Sequence, residues 1–269
     1  MRSFLTRLLV AIIAIPALLF VFYRGGEWLR VLVAVLLVLG TLEGQRLAVK
    51  AGASFRLMPA VILTLLTPWL AGHYWEGFGW PIWIVLILVI AALRVVRATD
   101  VKTVAMGIAA QSICILWIGV GFGAFLGLRA MPDGLGFWWL ILLFANLWIG
   151  DTAAYLFGIW LGKSKLAPAV SPKKTIVGAI AQIIASAVVG GVVALAGWIP
   201  VSAALIISSS IMIGVIGQMG DLFESVLKRA ANEKDSSTLI PGHGGVLDRF
   251  DSAHLAAPSL YALIQLWPR

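Results

Sequence analysis

Charge and cysteine are the two things this chain has least of. Only 12% of its 269 residues are charged and it has one cysteine, where soluble domains carry about a quarter charged residues. A single cysteine excludes an internal disulfide. His243 is a lone histidine with no Cys or His partner, which speaks against a zinc site. Internal repeats and low-complexity segments are missing too. The rest is apolar: 61% of residues are hydrophobic and the mean hydropathy is +1.00. A soluble fold cannot hide that much apolar surface behind so few charges. A soluble globular enzyme, a disordered tail and a disulfide scaffold are therefore excluded. Several apolar runs approach the ~20 residues that cross a bilayer as a helix. They are continuous rather than alternating, which argues against a β-barrel. Cys114 lies in one of them and reads as a small buried hydrophobe.

The runs predict an all-α, polytopic integral membrane protein with about nine transmembrane helices, at roughly 8–22, 29–43, 57–72, 79–93, 104–127, 136–157, 176–198, 201–222 and 249–267. The first run follows Arg2 and Arg7 but ends in Val21-Phe22-Tyr23-Arg24 with no small-residue cleavage site, so it reads as a retained helix. Lys and Arg test the topology. With the N-terminus in the cytosol, only Arg24, Arg30, Arg129 and Arg269 of the 20 fall outside, as the positive-inside rule demands. The net charge of +8 is then a topology signal. No basic stripe interleaved with aromatics suggests nucleic-acid binding. Trp28, Trp75, Trp80, Trp138, Trp139, Trp198 and Trp267 fall near helix ends and read as interfacial belts. Gly123-Ala124-Phe125-Leu126-Gly127 suits close helix packing. Residues 1–135 read as an N-terminal multi-span membrane region and 136–269 as a second multi-span region.

Polar groups are sparse in the first half. Glu43, Gln45 and Arg46 read as the solvated end of the second helix. His73 and Glu76 fall in a short external loop and receive no role. Gln111 and Asn146 read as interhelical glue.

The second half differs, because carboxylates at membrane depth or edge are costly and tend to mark function. Asp151 lies inside the sixth run and shares a helical face with Tyr155, Gly158 and Gly162. The loop after it carries Lys163, Lys165, Ser171, Lys173 and Lys174. Lysines with small residues near helix ends can hold phosphates, although inside loops of membrane proteins are lysine-rich in any case. In the eighth helix Gly214, Gly217, Gln218, Asp221, Glu224, Ser225 and Lys228 fall on one face. Such a stripe should line a protein interior or a wet cavity rather than face lipid. Then come Lys228-Arg229, Lys234-Asp235-Ser236-Ser237, Pro241-Gly242-His243-Gly244-Gly245 and Asp248-Arg249-Phe250-Asp251-Ser252. Asp248 alone could be a helix N-cap. Asp221 and Asp248 beside a basic, Gly-rich loop also offer the hard oxygens and cations that a Mg²⁺–nucleotide site needs. His243 could hydrogen-bond a phosphate or the loop itself.

The run from Ser225 to Asp251 resembles the signature of the phosphatidate cytidylyltransferase (CDP-diacylglycerol synthase) family. The resemblance extends through Gly220-Asp221-Leu222, Asp151-Thr152-Ala153-Ala154-Tyr155 and Ser171-Pro172-Lys173-Lys174-Thr175, covering about 145–260. The first half is similar only as a hydrophobic multi-span region. One position departs: where family members commonly carry Glu or Gln before Gly178, this chain has Val177.

The resemblance implies the reaction CTP + phosphatidate → CDP-diacylglycerol + pyrophosphate, in phospholipid biosynthesis. It implies Mg²⁺ on Asp221 and Asp248, with Asp251 as a further ligand and Asp151 as an orienting or substrate-binding residue. Lys228 and Arg249 join the two aspartates in the catalytic set. Lys163, Ser171, Lys174, Ser225, Arg229, Lys234 and His243 join the substrate-binding set, with backbone N–H groups of Gly244 and Gly245 facing the pyrophosphate. A second, monovalent cation is left open, and a homodimer is permitted. The N-terminus, lacking transit-peptide character, points to a bacterial inner membrane with the site facing the cytosol. The rivals are a CTP-dependent lipid kinase, a paralogue acting on another lipid phosphate, and an inactive scaffold. A transporter is disfavoured because no inverted repeat is visible.

Overall fold

The computed structural model describes residues 2–72, 79–95, 100–132 and 134–268. His73, Trp75 and Glu76 lie outside them, as does Arg269, and nothing is described of the Trp80 side chain. Among the described residues there are nine helices: α1 (Arg2–Arg24), α2 (Gly26–Lys50), α3 (Leu57–Gly72), α4 (Gly79–Val95), α5 (Val101–Arg129), α6 (Gly136–Leu161), α7 (Ile176–Ala196), α8 (Ala203–Ala230) and α9 (Leu247–Leu266). Five of them, α2, α5, α6, α7 and α8, are long and apolar enough to cross a membrane.

The helices follow the apolar runs, but two continue furthest past their expected ends. α2 runs to Lys50 and stops before Gly52, at φ +87°. α8 runs past 222 to Ala230 and stops before Asn232, at φ 54°. Both extensions mix polar with apolar residues, so the continuous apolar run stops before the helix does. The loop after α6 is more ordered than a connector: strands β1 (Lys165–Ala167) and β2 (Ser171–Thr175) pair antiparallel, Lys165 opposite Thr175 and Ala167 opposite Ser171. Thr175 then caps α7, its Oγ1 accepting from the Gly178 N–H at 3.1 Å.

The chain forms two compact units, one of Met1–Leu126 with Leu227–Phe250, the other of Gly127–Val226 with Asp251–Arg269. In the first unit, α2 packs closely on α5 through small residues. A Cβ on Gly40 would stand 3.1 Å from Ile118, and one on Gly44 3.0 Å from the Cys114 sulfur. Phe122, Phe125 and Phe250 make edge-to-face and tilted ring contacts, with centroids 5.4 to 6.0 Å apart. Gln111 is glue, as expected: its Oε1 accepts from the buried Arg94 guanidinium at 2.6 Å.

In the second unit α6, α7 and α8 approach through glycines. A Cβ on Gly178 would stand 2.7 Å from the Ala154 carbonyl, and one on Gly150 2.9 Å from Gln182. Asn146 donates to Ser210 Oγ at 3.2 Å, again joining helices. One aromatic departs from its expected place. Trp28 and Trp198 are half exposed, but Trp139 is buried at 1% and belongs to the core rather than to a belt.

Candidate active site

The stripe on α8 folds as its spacing demands. Gly214, Gly217, Gln218, Glu224, Ser225 and Lys228 are buried and Asp221 is half-buried, while Val215, Met219 and Val226 on other faces are exposed. Gln218 donates to the Ala179 carbonyl at 3.1 Å, tying α8 to α7.

In the first unit, Asp248 sits in the opening turn of α9 with both carboxylate oxygens engaged. Oδ1 accepts from Lys228 Nζ at 2.7 Å. Oδ2 accepts from the Ser236 N–H and Oγ, both at 2.7 Å, and from the Gly245 N–H at 2.8 Å. Asp248 is therefore not a simple N-cap: it gathers donors from the loop that precedes its helix. Burial pushes its carboxyl up, but Lys228, the Gly245 N–H and Ser236 outweigh that and hold it below the ordinary aspartate value. Gly244, at φ +82°, turns the chain here, and a Cβ on it would stand 2.6 Å from Asp248 Oδ2.

The Gly245 N–H, expected to face pyrophosphate, donates to Asp248 in this structure. The Nδ1 of His243, by contrast, is buried with no hydrogen-bond partner among the described residues. Arg229 is exposed and donates to the Glu233 carbonyl at 2.9 Å. Lys234 and Arg249 are exposed at the same loop's ends.

Glu43 overturns its sequence reading. It is not a solvated helix end but is buried at 4%. Its carboxylate accepts from Ser236 and Ser237 and from the Val246 and Leu247 N–H groups. Nothing local marks it, because every one of these partners is more than 190 residues along the chain.

In the second unit, Asp221 is the more accessible carboxylate. Its Oδ2 pairs with Lys174 Nζ, at the end of β2, at 2.5 Å, with side chains 29% and 26% exposed. Its Oδ1 accepts from Ser225 Oγ at 3.3 Å. The residue before it, Gly220, lets α8 touch α9: a Cβ there would stand 2.6 Å from the Asp251 carbonyl. Asp251 accepts from the next residue's N–H through Oδ1. Asp151 is exposed on α6 and accepts from Gln182 at 3.2 Å. Lys163 is exposed just before the hairpin, and Ser171 opens β2. The hairpin explains Lys174: strand pairing fixes the segment that delivers it to α8.

Among the described residues no group of three or more His, Cys, Asp or Glu side chains stands ready to hold a metal ion. The donor chemistry nevertheless fits a hard divalent cation at Asp221, a half-exposed carboxylate whose strongest partner is an exchangeable lysine, with Asp251 at the same helix crossing. Asp248 fits less well, since its two oxygens already accept four hydrogen bonds.

Comparison with known proteins places the chain in a family. The chain is 36% identical over 156 residues to a phosphatidate cytidylyltransferase of Bacillus subtilis, covering 58% of each chain. It is 31% identical over 262 residues to one of Staphylococcus haemolyticus, covering 96% of this chain and 98% of the relative. A third, from Staphylococcus aureus, is 30% identical over 260 residues, with 96% and 98% covered. The family description "Cytidylyltransferase family" matches residues 5–267, and the chain accordingly belongs to the cytidylyltransferase family.

Proposed function

We propose that this protein transfers a cytidylyl group from CTP to phosphatidate, giving CDP-diacylglycerol and pyrophosphate. The observation that carries the reading is that the signature stretch from Lys228 to Asp248 folds as one hydrogen-bonded unit, with Lys228, Ser236 and Gly245 all closing on Asp248. A phosphate oxygen of phosphatidate attacks the α-phosphorus of CTP. The bond from that phosphorus to the bridging oxygen breaks, and pyrophosphate leaves with the electron pair. The attacking group is already an anion, so no strong general base is required. The obstacle is bringing anions together, so the protein's work is positioning and charge neutralisation.

Lys174, released from Asp221, and the exposed Lys163, Arg229, Lys234 and Arg249 supply positive charge to phosphates. Lys228 is buried beside Asp248 and orders the loop. Ser171, Ser225, Asp151 and the unpartnered Nδ1 of His243 are proposed to orient substrate by hydrogen bonds. Asp221 and Asp251 are proposed as Mg²⁺ ligands, and so, within its own unit, is Asp248, where a cation would take the place of Lys228. When bound, Mg²⁺ neutralises triphosphate charge.

The nine-span topology with a cytosolic N-terminus, a bacterial inner-membrane location, a cytosol-facing site and a homodimer belong to the same proposal. The lysine and arginine distribution and the bacterial relatives support it. Purified protein with cytidine-labelled CTP, phosphatidate and Mg²⁺ tests it. Label retained on the lipid supports the transferase. Label left in soluble nucleotide, with a newly phosphorylated lipid, gives a kinase instead. No turnover at all gives the inactive scaffold.

A further inference from the structure

Glu43 stands in the N-terminal half, far in sequence from the signature, yet it touches the signature loop at four points. Oε1 accepts from Ser237 Oγ at 2.6 Å and from the Val246 N–H at 2.9 Å. Oε2 accepts from Ser236 Oγ and from the Leu247 N–H, both at 2.9 Å. Two of these donors are backbone N–H groups at the start of α9, which the helix itself cannot satisfy. Glu43 is thus the cap of α9, supplied by α2.

The contact reaches the site in one step. Ser236 Oγ also lies 2.7 Å from Asp248 Oδ2, so one hydroxyl proton is shared between the two carboxylates. Gly245 fills the space between, where any Cβ would overlap Ser236 Oγ and the Glu43 carboxylate. The same face of α2 grips the loop elsewhere. A Cβ on Gly40 would stand 3.2 Å from Leu247, and Lys50 pairs with Glu233.

We propose that Glu43 is a positioning residue for the transfer: through Ser236, Ser237 and the first N–H groups of α9 it fixes the loop of residues 236–247, and so sets Asp248 and Lys228. This rests on the proposed transferase activity, but half of its test does not. Glu43→Gln keeps the size of the side chain and removes one acceptor oxygen. Hydrogen exchange read by mass spectrometry on peptides spanning 236–248 should quicken in the variant, while peptides from α3 and α5 stay unchanged. Turnover should fall about 100-fold, the cost of a displacement of about 1 Å at a reacting centre, with KM for phosphatidate unchanged.

Unchanged exchange in the loop overturns the proposal, and so does wild-type turnover with a loosened loop. A wild-type protein with no turnover refutes the transferase reading while leaving the exchange comparison to decide on the loop. If Glu43→Gln does not fold, Ser237→Ala, which removes one donor to Glu43, takes its place. It should cost about threefold in turnover, the scale of one hydrogen bond, with faster exchange at 236–248, and no change in either measurement overturns the proposal.

Discussion

The surroundings of Asp248 and Asp221 differ in kind. Asp248, 4% exposed in its side chain, is closed in by Lys228, Ser236 and Gly245. Asp221, 29% exposed, has Lys174 and a long contact from Ser225. A carboxylate that must take and release a charged ligand needs a partner it can exchange cheaply, which a half-exposed lysine provides. A carboxylate that anchors a loop needs many partners at once, because breaking a buried charge pair leaves the other charge stranded. The two aspartates look alike in sequence, but Asp248 is closed in by the protein's own donors while Asp221 stays half exposed.

Removing each aspartate sharpens this division. Asp221→Ala and Asp248→Ala should each lower turnover by about 1000-fold, the scale of losing a key charge-stabilising group. They should part in stability. Asp221→Ala should unfold at the wild-type temperature, since its partners can turn to solvent. Asp248→Ala should lose about 3–5 kcal/mol, because Lys228 is left buried without its counter-charge. Thermal unfolding in detergent, followed beside cytidine transfer, checks both, and equal stability of the two variants would erase the distinction. A smaller effect is expected at Lys174. Lys174→Ala should reduce turnover about 30-fold, mainly through KM for CTP, as expected when one charge-assisted contact to a phosphate is lost. A rise in KM for phosphatidate alone would move this lysine to the lipid side.

Much of this was legible in the sequence, for a physical reason. The apolar runs mark helices because a bilayer-spanning helix must be apolar over most of its length. The spacing from Gly214 to Lys228 marks a buried face because a helix repeats every 3.6 residues. Trp139 was misplaced because a tryptophan near a helix end looks the same whether it meets lipid or core. Glu43 was missed because its meaning lies in donors contributed by another part of the chain, and nothing in Leu42-Glu43-Gly44 reports them. The hairpin at 165–175 was missed because strands of three and five residues are too short to show a clear alternating pattern. The Gly245 N–H was expected to face pyrophosphate, but the sequence could not say that it also reaches the protein's own Asp248 carboxylate.

Acid should touch the Asp248 region before it touches the helices. The Asp248 carboxyl is held below its ordinary value in the folded protein, so the unfolded chain takes up its proton first as pH falls. Its contribution to stability is complete above the ordinary aspartate value, at about pH 4, and is lost as pH drops through the lower folded value. The wild-type unfolding temperature should therefore decline below about pH 4 more steeply than that of Asp248→Asn. Parallel declines would mean that Lys228 and the loop donors do not hold the carboxylate charged.

The smallest effect is expected at Val177, where the resemblance led to an expectation of Glu or Gln. Val177 lies in the first turn of α7 and, with Ala153, Phe157, Ile180, Ala181, Ile184 and Ala185, lines an apolar groove of about 300 Å³ between α6 and α7. A carboxylate there would meet two opposed influences. The helix N-terminus favours negative charge by about 0.3–1 kcal/mol, while the apolar walls of the groove oppose it. Val177→Glu should therefore change stability by no more than about 0.5 kcal/mol and turnover by less than about threefold, since less than 1 kcal/mol separates the two side chains. A tenfold rise in turnover would instead place a polar group of the active site at the mouth of this groove, and the Asp221 region would then extend to α7.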